Sequence, residues 1–304
     1  MERRIVLVTG SGPSGTLSGA LQALGLFVPD PAWVAVLHDD LLRRCNVDAA
    51  DARPSAWLEA GRLATAEAPR ERLHTWLEEQ FADGGPELVV EDPRLAWFLG
   101  LWRWAALRCD ATPAEVTVLR PVTDVEGGRS GDVQRTAAWL NLMLHTERST
   151  RGSGRRFVRY ADLLDDWTIP VATLGEAFDL EIVRSANAQY QRKVHEVVEP
   201  AADRVELAWA DLAVPARLRE IAEESSRQLD RLAGPDGDTP DVHDALDRLR
   251  AAYADLYGEA EELAASSVAA ARRERPKRAG QGKKQGPDEE PPPERPQRRW
   301  GRKG

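Results

Sequence analysis

The chain of 304 residues carries 41 Lys and Arg against 50 Asp and Glu, a formal net charge of −9, and 42% of it is hydrophobic. Such a length supports one sizeable core of roughly 200 residues with appendages, and no run approaches the roughly 20 apolar residues that cross a bilayer. Its two cysteines, Cys45 and Cys109, stand far apart outside any C-x-x-C pair, so neither a disulfide framework nor a cysteine-based zinc site is indicated, and both read as small apolar fillers. Residues 272–304 hold 12 Lys and Arg against 5 Asp and Glu, a net of +7, which leaves −16 on the rest. The acidic body argues against a broad nucleic-acid-binding face.

The segment Met1 to Val8 opens the chain as a first strand with no mark of export, so a cytoplasmic protein is expected. Glycines from Gly10 onward hand over to Leu17, Ala20, Leu21 and Leu24 at helical spacing, with Gly25 as the stop. The interval from Val34 to Phe81 reads as helices covering one sheet face. Three further short apolar runs, Leu88–Val90, Val116–Leu119 and Phe157–Val158, read as buried parallel strands. They end in Glu91-Asp92-Pro93-Arg94, in Arg120 and in Arg159-Tyr160. Between the last two runs, Val133, Ala137, Leu140 and Leu144 mark a one-sided helix.

This alternation predicts an α/β fold with a mostly parallel sheet, in which ligands sit beyond the carboxyl ends of the strands. The charged strand ends are therefore expected to converge on one site. From Pro215 two helical stripes appear, Leu218 to Leu232 and Val242 to Leu263, with the turn of a hairpin between Gly234 and Pro240. The predicted organisation is an α/β domain over 1–200, a helical hairpin over 201–271, and a basic Pro- and Gly-rich tail over 272–304. That hairpin packs on its own domain or makes a homodimer contact. The tail is expected to be disordered, because it cannot bury enough apolar surface to offset the entropy of ordering.

The loop Gly10-Ser11-Gly12-Pro13-Ser14-Gly15-Thr16 between strand and helix has the features of a phosphate cradle: exposed backbone N–H groups, the positive end of a helix dipole, and the hydroxyls of Ser14 and Thr16. Against the nucleoside-triphosphatase pattern, Thr16 stands where the lysine belongs. The dinucleotide pattern fits literally, with Asp30 in the place of a ribose-binding acid, but no hydride-transfer constellation follows. A tight turn that binds nothing is the third alternative.

The blocks VLVTGSGPSGT, LVVEDPRLAWFLGLW, VTVLR, RTAAWLNLMLHTERSTRG and RRFVRYADLLDDW, in this order, resemble those of bacterial, actinobacterial-type sulfotransferases. That resemblance implies a P-loop-like fold that binds 3′-phosphoadenosine-5′-phosphosulfate (PAPS) and passes its sulfuryl group to a hydroxyl of a metabolite, glycan or glycolipid. It places Ser11, Gly12, Pro13, Ser14, Gly15 and Thr16 around the 5′-phosphosulfate and Arg120 on the 3′-phosphate, and arginine suits a phosphate because its fork donates two parallel hydrogen bonds. Three departures stand out. Pro13 replaces a cation; Gly128 replaces a serine that Ser130 could supply; and the segment Val28–Trp33, which in relatives ends in an acidic base, is short. Asp30 and His38 are the replacement candidates for that base, with Asp39 and Asp40 nearby.

His145 and Glu147 read either as cleft residues or as the polar end of a helix, and Asp92 with Arg94 either as cleft groups or as an ion pair closing a strand. Tyr160 and Asp162 match a Tyr-x-Asp-Leu element of the resembled family and read as structural. Trp97, Trp102 and Trp104 read as packing, with stacking on an acceptor as the other use. The five histidines show no H-x-x-x-H pairing, so no metal site is expected. A catalytically impaired nucleotide-binding relative and an NAD(P)-dependent oxidoreductase are the alternatives to an active sulfotransferase.

Overall fold

The first strand, β1 (Arg3–Gly10), is buried from Ile5 to its end, as a strand covered on both faces should be. The structure, a computed structural model, describes residues 2–10, 15–125, 131–198 and 205–274. After β1 come α1 (Thr16–Leu24), α2 (Pro31–Cys45), α3 (Ala56–Ala64), α4 (Glu67–Gly84) and the second strand, β2 (Glu87–Glu91). A 3-10 turn over Pro93–Phe98 and α5 (Leu99–Arg108) lead into β3 (Ala111–Leu119). The chain continues through β4 (Asp124–Val125), α6 (Asp132–Ser149), β5 (Arg155–Arg159), α7 (Tyr160–Asp166), α8 (Thr168–Ala177), α9 (Glu181–Arg184) and α10 (Ala188–Val198). It ends its described course with β6 (Val205–Glu206), α11 (Ala216–Leu232) and α12 (Pro240–Glu274).

The four long strands form one all-parallel sheet in the order β2-β1-β3-β5, the α/β architecture expected from the apolar runs. Alternation along β1 then assigns the helices to layers. Ile5 and Leu7 pack with residues of α2 to α5, whereas Val6 and Val8 pack with α1, α7, α8 and α10. The short strands β4 and β6 pair antiparallel. A second strand after α1, needed by the dinucleotide alternative, shrinks to one bridge between Phe27 and Leu88.

Residues 1–260 form one compact unit and residues 261–304 another. The hairpin expected from 201 packs on its own domain and shares the core of the first unit: Leu218, Ala222, Leu229, Val242 and Leu246 pack with Leu140, Leu144 and Phe157. Ion pairs Arg217–Glu259 and Arg231–Asp241 bracket α11 and the facing part of α12 as an antiparallel hairpin, joined by the predicted turn. One sequence expectation needs correcting. Val133 is 46% exposed, because the first turn of α6 docks through Asp132, whose carboxylate accepts from the Ala213 N–H at 2.9 Å. The part of the tail from 275 lies outside the described residues. Among the described residues no helix is long and apolar enough to cross a membrane.

Candidate functional site

From β1 the chain crosses to β2 on one side and then to β3 on the other, so the carboxyl ends of β1 and β3 border a topological switch point, where open α/β sheets bind ligands. The strand enters this crevice in a conformation only glycine tolerates. Gly10 has φ 135°, and a Cβ on it would stand 2.1 Å from the carbonyl oxygen of Val118 on β3. Ser11, Gly12, Pro13 and Ser14 lie outside the described residues, as do Gly128 and Ser130.

At the far end of the loop, Gly15 (φ 114°) turns the chain into α1, whose first residue Thr16 is buried. Gly15, the N-cap residue, has no side chain with which to cap the helix N–H groups. The cap comes instead from β2: Glu91 accepts from the Gly15 N–H at 2.9 Å and, through its other oxygen, from the Ser18 N–H at 3.0 Å. An anionic oxygen pair thus already sits at the positive end of the helix, where a phosphate or sulfate would be held. Sequence reasoning missed this role of Glu91, noting only a charged strand end.

Arg120, immediately after β3, is 8% exposed and pairs with the buried Asp124 at 3.0 Å. Its guanidinium carbon lies 5.2 Å from the centre of the Tyr160 ring, and its carbonyl accepts from the Trp139 indole N–H at 3.0 Å. Tyr160 is buried and Asp162 pairs with Arg159, in keeping with their structural reading.

The candidate bases sit elsewhere. Asp30 is the N-cap of α2 and accepts from the Ala32 N–H. His38 is wholly buried; Trp102 donates its indole N–H to Nε2 at 2.9 Å, and Nδ1 lies 3.3 Å from Asp92. Indole is a donor only, so Nε2 carries the lone pair and the imidazole proton belongs on Nδ1, facing the carboxylate. Burial lowers the pKa of His38 despite the pull of Asp92. A neutral histidine held inside the core between Trp102 and Asp92 is a structural residue, not a base open to an acceptor. Burial works against the Asp92 carboxylate, but bonds from His38 and Arg94 outweigh it and hold Asp92 well below the usual range. Arg94 grips it with two bonds of 2.8 and 2.6 Å and reaches Asp39.

The remaining candidates are also structural. Trp97 and Trp102 are core residues, with Trp97 stacked on Trp57 at 3.9 Å. His145 stacks on the other side chain of that pair, Trp57, at 3.6 Å, and Glu147 is fully buried. A groove of about 800 Å³ lies away from the switch point, along the open edge of β5, between α8 and the α11–α12 turn.

The histidines set an acid-side expectation. Burial first, then repulsion from Arg250 and Arg148, lowers the pKa of His145 to about 3, and His38 shifts the same way. Below about 6.5 the unfolded chain takes up protons that these native rings refuse, so stability is full above that pH and falls below it. Each ring contributes a slope of about 1.4 kcal/mol per pH unit. Urea midpoints measured from pH 7.5 to pH 5 should fall, and His145→Gln should flatten the fall; equal slopes in the two proteins would contradict the assignment.

No protein-family model matches this chain, and neither a curated protein nor a solved structure does, so the site is read from its own geometry.

Proposed function

We propose that the crevice at the carboxyl ends of β1 and β3 binds a 3′-phosphoadenosine nucleotide, PAPS or its bisphosphate product, and that the protein is sulfotransferase-like. The observation that supports this reading is the seat of Glu91 on the Gly15 and Ser18 N–H groups, a pair of anionic oxygens of this chain's own at the helix start. The strand order supports the same place. Arg120, beside the crevice and already paired with a carboxylate, is the cation assigned to the 3′-phosphate.

Sulfuryl transfer breaks the S–O bond to the 5′-phosphate, forms one to the acceptor hydroxyl oxygen, and needs a base for the hydroxyl proton. With His38 inside the core and Asp30 occupied as a cap, the described residues favour holding the nucleotide over moving its sulfate. A nucleotide-binding relative that has lost turnover is therefore the second reading.

Calorimetry with 3′,5′-adenosine bisphosphate beside NADPH tests the proposal. Micromolar binding of the bisphosphate alone supports it, and binding of NADPH alone overturns it. A sulfate-transfer assay on a panel of hydroxylated acceptors then separates the two readings, with no turnover favouring the second. Arg120→Lys keeps the charge beside Asp124 but removes the fork, so bisphosphate affinity should drop about tenfold. An unchanged affinity would take Arg120 out of the site.

A further inference from the structure

At the opposite, amino-terminal edge of the sheet, three side chains of different chemistry converge. His74 and Glu78 stand one turn apart on α4, and Cys109 caps the carboxyl end of α5. One ligating atom from each, an imidazole nitrogen, a carboxylate oxygen and the thiol sulfur, lies within 4.8 Å of the others. We propose that these residues form a binding site for a divalent ion of the zinc class.

The donor set suits such an ion. Nitrogen, oxygen and sulfur are the three ligand types Zn²⁺ takes, and a thiolate disfavours Mg²⁺ and Ca²⁺. Around a tetrahedral zinc, neighbouring donors stand about 3.3 to 3.6 Å apart, so side-chain rotations of about 1 Å close the site. The backbone that carries them is fixed, since Cys109 is fully buried while α4 and α5 share the core beneath it. His74 and Glu78 are partly exposed, which gives the ion a path in and leaves a fourth position for water.

The surroundings already attract positive charge. The negative end of the α5 dipole is here, and Arg3 from the start of β1 has settled on it, donating to the Cys109 carbonyl at 3.0 Å and to Glu78 at 3.0 and 3.2 Å. A carboxylate has two oxygens. Glu78 can give one to the ion and keep the other on Arg3, which then orients the ligand from behind. Binding exchanges the thiol proton of Cys109, released to solvent, for the metal–sulfur bond. With its ligands on α4 and α5, and Arg3 of β1 held through Glu78, the ion ties two helices of one layer to the sheet they cover.

Sequence patterns for metal sites look for paired histidines or paired cysteines, and this site has one of each. The sequence therefore pointed to no metal site, and Cys109 joins His74 and Glu78 only through packing.

The test uses the full-length protein freed of metal with a chelator and titrated with Co²⁺, whose thiolate complexes absorb in the near ultraviolet by charge transfer. Saturation at one ion per chain with this band is expected, in the wild type and in Cys45→Ser alike. Cys109→Ser should lose the band, and His74→Ala should weaken Co²⁺ at least tenfold. Zn²⁺ should displace Co²⁺ and raise the thermal midpoint of the wild type. No saturable binding, or a band that survives Cys109→Ser, overturns the proposal. If Cys109→Ser does not fold, the partly exposed His74→Ala decides: unchanged affinity there overturns it equally.

Discussion

Replacing Glu91 with alanine is expected to tighten 3′,5′-adenosine bisphosphate binding about tenfold and to lower stability by about 1 kcal/mol. The two signs have one cause. Glu91 satisfies the Gly15 and Ser18 N–H groups, so its loss uncaps α1. The same N–H groups are those a phosphate needs, and the ligand must first push the carboxylate aside. Removing it spares the ligand both the cost of breaking the cap and the repulsion of a like charge. Calorimetry gives the affinity and urea unfolding the stability.

Glu87 supplies the control, because it caps α9 in the same manner, accepting from the Glu181 and Ile182 N–H groups at 2.7 and 3.1 Å. It sits at the other end of β2 and is 1% exposed. Glu87→Ala should therefore destabilise the protein without tightening the bisphosphate. If Glu91→Ala weakened binding instead, the carboxylate would be supporting the loop that holds the nucleotide, and its competition with the ligand would be refuted.

The fold was largely legible because its signals are local. Ile5–Thr9, Leu88–Val90, Val116–Leu119 and Phe157–Val158 are short runs of apolar residues and threonine without a charge, and a strand buried on both faces permits little else. The hairpin was legible for the same reason, through the period of its stripes and the Gly- and Pro-rich turn. The site was legible only as a place. Gly10 had to be glycine at the end of β1, yet the partner that fills the helix start, Glu91, comes from 73 to 76 residues away, through the lateral neighbour of the strand.

Rotation about a helix axis hid the rest. His38 and Asp39 are adjacent in sequence, but one turns inward to Trp102 and the other outward to Arg94. Spacing alone cannot choose which polar residue of Leu37-His38-Asp39-Asp40 enters the core. A buried Asp92 and a buried indole make that choice by offering an acceptor and a donor that, among these four residues, only the imidazole can face together. Likewise Glu147 is the helix-end residue of its two readings, but a buried one, paired with Arg151 and Arg155.

Glu147→Ala is expected to cost about 3 to 5 kcal/mol, a large share of the stability of an ordinary domain. Its carboxylate is 0% exposed and accepts two bonds of 2.7 Å from Arg151 and one of 3.3 Å from Arg155. Arg155, only 5% exposed, also donates to the Glu147 carbonyl and to Asp238 on the α11–α12 turn. Deleting the carboxylate leaves the buried guanidinium of Arg155 with only the half-exposed Asp238 as counter-charge, and a buried charge stripped of its buried partner is what makes such losses large. Asp247, which pairs with Arg151 from α12 at 3.0 Å, is 36% exposed, so Asp247→Ala should cost about 1 kcal/mol or less. Urea unfolding of both variants at neutral pH measures the contrast, and equal losses would mean that water screens Glu147 as well. The consequence reaches the crevice, because this network fixes α6 to β5 and α6 carries Trp139, which holds the carbonyl of Arg120. A protein loosened at Glu147 should therefore bind the bisphosphate more weakly than its residual stability alone predicts.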